Sequence, residues 1–340
     1  MWDNSPFPMP DGAKITDRQG DQYKVNVSIP LDADGFFGRQ CPECSMLFRV
    51  HGDDYAALPE ELRLWCVYCG HNADYGDFWT GQQRERALEA ARALGAQIVQ
   101  QGFARMARKA RNSSRRGHVS VSFRSGPRYP RPLPEIDEER LARTRTCVGC
   151  EIRYGVFGEH RYCPSCGRLP AVTVAFDALQ AETARLDALS SLPDEIRAAL
   201  REQGVFTRSW VDTIENVVGV VEALGSSVFH EHVTDADERL RGKGNVFQRL
   251  DDMADLFVSA DFPDVRGSVG SSAWQRLLRT WAARHVFTHT DGVVDEKYLR
   301  RVPTSRASVG QRLVISDADC REAIEDATAL CRALVDIKPR

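Results

Sequence analysis

Cys41-Pro-Glu-Cys44 and Cys66-Val-Tyr-Cys69-Gly70, with twenty-one residues between the pairs, decide how the first half of this chain folds. The pattern returns as Cys147-Val-Gly-Cys150 and Cys163-Pro-Ser-Cys166-Gly167, now with twelve residues between the pairs. Each Cys-x-x-Cys turn aims two thiolates at one point, and two such turns complete a tetrahedral shell. The spacing therefore predicts two structural Zn2+ ions, one on Cys41, Cys44, Cys66 and Cys69, the other on Cys147, Cys150, Cys163 and Cys166. Gly70 and Gly167 close the second turns, where a left-handed backbone is often required. A redox role would pair one such motif with a following helix in a βαβ unit; here the motifs come in pairs on strand-like flanks. A four-cysteine shell leaves no open position, so no catalytic metal is expected. His51, His71 and His160 lie near the clusters and are read as bystanders.

Working outward, residues 1 to 40 carry Pro and Gly punctuation and a short alternating run from Tyr23 to Ile29, read as β-rich. Thr80 to about Arg111 reads as helix, with Leu88, Ala91, Leu94, Ile98 and Val99 as its apolar stripe. No Asp or Glu occurs between Glu89 and Glu135, while Arg105, Arg108, Lys109, Arg111, Arg115, Arg116, Arg124, Arg128 and Arg131 do. Phe103, Phe123 and Tyr129 are interleaved. In a chain of formal net charge −3 this is a local asymmetry. Guanidinium forks match phosphate and aromatics stack on unpaired bases, so the segment reads as an RNA or DNA contact surface; a solvated helix end and linker is the plainer alternative. A proline-rich stretch, Arg128 to Glu139, separates it from the second cluster.

After Gly167 the pattern becomes helical. One helix covers about Thr207 to Val233, with Trp210, Ile214, Val217, Val218, Val221 and Val228 on a stripe. Another covers about Val246 to Phe257, and a third starts at Ser272 with Trp274, Leu277, Leu278 and Trp281. The last runs from Asp317 to about Ile337, with Ser316 and Asp319 in capping-box positions and Cys320, Ala323, Ile324, Ala327, Cys331 and Leu334 facing the core. Cys320 and Cys331 are read as small core residues. The fold class expected is mixed α and β: two small β-rich zinc ribbons plus an all-α bundle. The domains are 1–80 (β-rich region and ribbon 1), 81–142 (helix and basic, proline-rich linker), 143–172 (ribbon 2) and 173–340 (helical). No apolar run approaches the roughly 20 residues that span a bilayer, and no secretory signal is read at the amino terminus, so a cytoplasmic protein with no membrane partner is expected.

Trp274 to Gly292, WQRLLRTWAARHVFTHTDG, ends in Arg284, His285 and His289, with Gly292 placed to stop the helix. The helix dipole favours cations there and raises histidine pKa values, while Arg284 works against it. Arg284, a polar residue after it and His289 resemble the R-x4-6-H motif of HEPN domains. The following TDGVVDEKYL and the order of a long early helix, a short one, the motif helix and a terminal helix resemble them too, over about residues 174 to 340. The resemblance implies a metal-independent endoribonuclease of hydrolase type, a toxin or phage-defence effector acting on RNA, tRNA included. It implies a homodimer whose motif residues share a cleft, and a regulatory protein is a candidate partner. His289 would be the acid/base, Arg284 would hold phosphate and His285 would assist. An acidic residue of the early helix often joins the site; Glu215 and Glu222 are candidates. Three other readings stand beside this: a cap and a surface ion pair, a metal pair on His285 and His289, and a non-catalytic nucleic-acid- or protein-binding adaptor that dimerises through the helical domain.

Overall fold

The alternating run near residue 25 forms one arm of a hairpin. β1 (Ala13–Gln19) pairs antiparallel with β2 (Gln22–Val27), with a bulge between Ile15 and Asp17. The structure, a computed structural model, describes residues 7–20, 22–59, 61–113, 132–136 and 143–338; side chains of 107, 108, 110–113 and 143 lie outside the description. The chain divides into two units, Met1–Arg168 and Leu169–Arg340.

In the first unit each leading cysteine turn joins two strands. β3 (Phe36–Gln40) and β4 (Leu47–His51) flank Cys41–Cys44. The helical turn α1 (Gly52–Ala56) follows β4. β7 (Arg143–Thr146) and β8 (Arg153–Val156) flank Cys147–Cys150. The trailing turns sit in short hairpins, β5 (Arg63–Trp65) with β6 (Asn72–Asp74), and β9 (Tyr162–Cys163) with β10 (Gly167–Arg168).

The sequence reading placed the two ribbons in separate modules, 1–80 and 143–172. They share one sheet instead, ordered β3-β4-β8-β7. The reason is that β4 and β8 would each be an open edge, and edges pair. Their register, Arg49 opposite Gly155 and Val50 opposite Tyr154, has a consequence. Superposing Cys41 on Cys147 matches Phe48 to Tyr154 and Val50 to Val156, and maps the Arg49–Gly155 pair onto itself. A local two-fold axis therefore passes through that pair.

Backbone hydrogen bonds obey the same symmetry. Cys41 N–H donates to Met46 O at 3.0 Å and Cys147 N–H to Ile152 O at 3.0 Å. Ser45 and Glu151, each just past its turn, both take left-handed φ, 60° and 61°. Across the axis, Trp65 N–H donates to Pro164 O (2.9 Å) and Tyr162 N–H to Val67 O (3.1 Å). The Trp65 and Tyr162 rings stack at 6.1 Å with 2° between planes. The duplication thus reaches beyond the cysteines.

Each ring also covers the other ribbon's glycine. Gly70 has φ +74° and lies under the Tyr162 ring; Gly167 has φ +89° and faces Trp65. Gly70→Ala would force left-handed backbone on an L-residue, costing about 1–3 kcal/mol, and drive its Cβ into that ring. The expected result is a loss of about 3 kcal/mol or more in denaturant unfolding. Adding Tyr162→Leu should recover the clash but not the backbone cost.

α2 (Gly81–Ser113) starts in a capping box. Gln83 N–H donates to Thr80 Oγ1 (3.2 Å), and Gln83 Oε1 accepts from Thr80 N–H (3.4 Å). The face it buries shares only Leu94 with the expected stripe. Leu88, Ile98 and Val99 are exposed, whereas Gln83, Ala90, Leu94 and Gln97 are buried. Polar anchoring explains the rotation: Gln83 Nε2 donates to Gly38 O at 2.7 Å, Arg86 Nε to Ser28 O at 3.1 Å and Gln97 Nε2 to Pro8 O. The buried Gly38 carbonyl needs such a donor, and an apolar side chain cannot supply it.

The second unit is helical: α3 (Ala171–Ser190), α4 (Asp194–Glu202), α5 (Val205–His232), α6 (Ala236–Leu240), α7 (Leu250–Ser259), α8 (Val265–Val269), α9 (Ser271–Thr290), α10 (Glu296–Arg301) and α11 (Asp317–Val335). Ile214, Val217, Val218, Val221 and Val228 of α5 meet Cys320, Ala323, Ile324, Ala327, Cys331 and Leu334 of α11 in one core. Ser316 and Asp319 form the capping box of α11. The stretch read as one helix from Val246 is a 3-10 turn, Val246–Gln248, and then α7. Among the described residues no helix is long and apolar enough to cross a membrane.

Candidate functional site

In each cysteine group the four Sγ atoms lie within 4.8 Å of one another. Cys41–Cys69 and Cys44–Cys66 are 3.7 and 3.6 Å apart. Cys147–Cys166 and Cys150–Cys163 are both 3.5 Å apart. A tetrahedron with metal–sulfur bonds of about 2.3 Å has edges of roughly 3.8 Å, whereas a disulfide needs about 2.05 Å. All ten cysteines are free thiols. Both groups could hold a metal ion, each with four thiol ligands.

Burial pushes the Cys66 and Cys163 thiols well above the usual thiol range and raises Cys166 to about 11. A bound dication reverses that cost, because coordination deprotonates a thiol. The nearby histidines stay outside both groups, as expected. His160 Nε2 lies 3.0 Å from Tyr154 Oη, His51 packs edge-on to Phe36, and His71 lies against Phe78.

Of the residues read as a nucleic-acid surface, Arg105 and Lys109 are exposed, one turn apart on α2. Phe103 and Met106 beside them are exposed too. Arg108 and Arg111 belong to α2, but their side chains lie outside the described residues. Arg115, Arg116, Arg124 and Arg128 lie outside the described residues altogether. Arg49 is held by Asp32 at 2.7 Å, and Arg153 grips Asp54 through Nε and Nη2 at 2.9 and 2.6 Å. Arg153 correspondingly holds the Asp54 carboxyl below its ordinary range.

The second cluster sits at the carboxy-terminal end of α9. Asp291 (φ 51°) and Gly292 (φ 80°) stop this helix, with Gly292 N–H donating to Val286 O at 3.1 Å. The stop therefore begins one residue before the glycine. Val286 is buried and anchors the turn, which leaves Arg284 and His285 half-buried and Thr288 and His289 exposed. Helical spacing puts His285 beneath His289, their ring centroids 4.6 Å apart. Arg284 Nε is buried with no hydrogen-bond partner among the described residues. Thr288 Oγ1 donates to Glu215 Oε1 at 3.1 Å. Glu215 of α5, one of the two acidic candidates, thus reaches the motif helix.

Sequence reasoning missed Lys297. Its Nζ lies 3.2 Å from His285 Nε2. It is delivered by α10, whose first turn is capped by Asp295 accepting from Tyr298 N–H at 2.7 Å. The only signal was an Asp-x-x-Tyr cap with a lysine inside it, directly after the helix stop. The expected balance of charge also changes. Partial burial, then Lys297, His289 and Arg301, lower the His285 pKa from its ordinary value, and Asp295 opposes them. The opposing cations, Lys297 and Arg301, come from α10.

Compared with protein-family models, with curated proteins and with solved structures, this chain matches none.

Proposed function

We propose that the chain is a metal-independent endoribonuclease of HEPN type whose helical unit cuts RNA and whose cysteine unit holds two structural zinc ions. One observation carries this reading: Arg284, the close His285–His289 ring pair and Thr288, which is hydrogen-bonded to Glu215, all sit on the last turns of α9. Cleaving RNA without a metal needs such a set: a base for the 2′-hydroxyl, an acid for the 5′-oxygen and a cation for the phosphorane. His289, exposed, takes the 2′-hydroxyl proton. O2′ then attacks phosphorus, the P–O5′ bond breaks, and O5′ collects a proton. One imidazole cannot face both sides of an in-line displacement, so a second copy of the chain supplies the protonated His289. Arg284 neutralises the phosphate, a task its fork suits. The products are a 2′,3′-cyclic phosphate and a 5′-hydroxyl. Arg105 and Lys109, with Phe103 beside them, support RNA contact by the first unit.

The test is end-labelled total RNA incubated with the protein and with Arg284→Ala. Defined cuts by the native chain, weakened by the substitution, support the reading. RNA that is bound but uncut by either protein returns the non-catalytic adaptor, dimerising through the helical unit.

A further inference from the structure

We infer that Lys297 is a positioning residue of the α9 site: its ammonium donates to Nε2 of His285, fixes that ring as the Nδ1–H tautomer, and removes it from proton transfer so that His289 alone acts. The inference rests on the nuclease reading for its last clause only. The first part follows from donor and acceptor types. An ammonium carries only donors, so the nitrogen 3.2 Å away must be an unprotonated acceptor. The remaining ring proton then sits on Nδ1, and the ring is uncharged.

The surroundings agree. From α10 and its cap, Lys297, Arg301 and Asp295 face His285; from its own helix, His289 does. Two cations and a second imidazole oppose one carboxylate, and partial burial adds to them. A neutral ring beside His289, centroids 4.6 Å apart and planes tilted by 57°, packs against the exposed imidazole without adding charge to it. This separates roles that the motif alone leaves merged. Two adjacent histidines of like environment would compete for one proton; here one has its Nε2 occupied.

The experiment uses the full chain with 13C,15N-labelled histidine. The His285 ring is assigned through His285→Gln, and its titration and tautomer are read by NMR in native protein, Lys297→Met and Lys297→Arg. Lys297 is exposed, so neither variant disturbs the core. The native ring should be the Nδ1–H tautomer with a depressed midpoint. Lys297→Met should shift the midpoint upward and restore a tautomer mixture, and Lys297→Arg should hold the native tautomer. An unchanged midpoint and tautomer in Lys297→Met overturns the inference, whatever RNA does. In parallel, RNA cleavage by Lys297→Met should move along the pH axis relative to native protein while RNA affinity changes little. Absent cleavage by the native chain sinks the nuclease reading and leaves the titration to decide Lys297 by itself.

Discussion

Replacing Cys66 by Ser is expected to release both metal ions, not one, and to unfold the two cysteine ribbons and their shared sheet together. A structural zinc supplies about 10–16 kcal/mol of apparent binding energy in small peptides, while a whole domain is stable by about 5–15 kcal/mol. Losing one ion therefore removes as much as the fold has. The interlock makes the loss mutual. Cys66 follows Trp65, whose N–H bonds Pro164 between Cys163 and Cys166 and whose ring covers Gly167. The reverse arrangement runs from Tyr162 to Val67 and Gly70. Disordering one trailing hairpin uncovers the other's glycine and breaks its cross-axis bonds. Elemental analysis should show the two ions implied by the two thiol groups falling together towards none. The near-ultraviolet signal of the stacked Trp65 and Tyr162 should vanish with them. Cys331→Ser is the control. That thiol is fully buried in the helical core, so the variant should lose stability there while keeping both ions. One ion retained in Cys66→Ser, with intact aromatic signal, would mean two independent sites.

His289→Ala should lower RNA cleavage by about 10²–10⁴-fold, the usual worth of a positioned acid or base. Because both copies of the proposed active pair would lose their imidazole, the upper part of that range is expected. RNA affinity should barely change, since the proposal assigns phosphate binding to Arg284 and to Arg105 and Lys109 of α2. Arg284→Ala should weaken both. A single-turnover assay separates the two: a lowered rate at saturating protein for His289→Ala, and a lowered rate with weaker saturation for Arg284→Ala. Equal cleavage by native protein and His289→Ala would remove His289 from the chemistry.

Much of this was legible in the residues, and the gaps have physical causes. The cysteine quartets could be read because metal geometry leaves few spacings free. The α11 stripe could be read because each of its apolar positions from Cys320 to Leu334 faces one core. The shared sheet could not, because pairing of β4 with β8 depends on backbone edges, and the strands match only loosely across the axis: Val50 with Val156 and Phe48 with Tyr154, but Arg49 with Gly155. The buried face of α2 was misread since glutamines and an arginine, not leucines, satisfy the carbonyls beneath it. At the α9 site, the motif residues stood out as a short string. Glu215 and Lys297 belong to other helices, and only the folded chain brings them to Thr288 and His285.

The most direct test of the proposed chemistry is the identity of the product ends. The protein is incubated with RNA, and with DNA of the same sequence, in buffer depleted of free divalent ions, its bound zinc content verified beforehand. The account predicts RNA fragments ending in 2′,3′-cyclic phosphate and beginning with 5′-hydroxyl, and intact DNA. Fragments with 5′-phosphate ends, cleavage of the DNA, or cutting that starts only when Mg2+ is restored would contradict it.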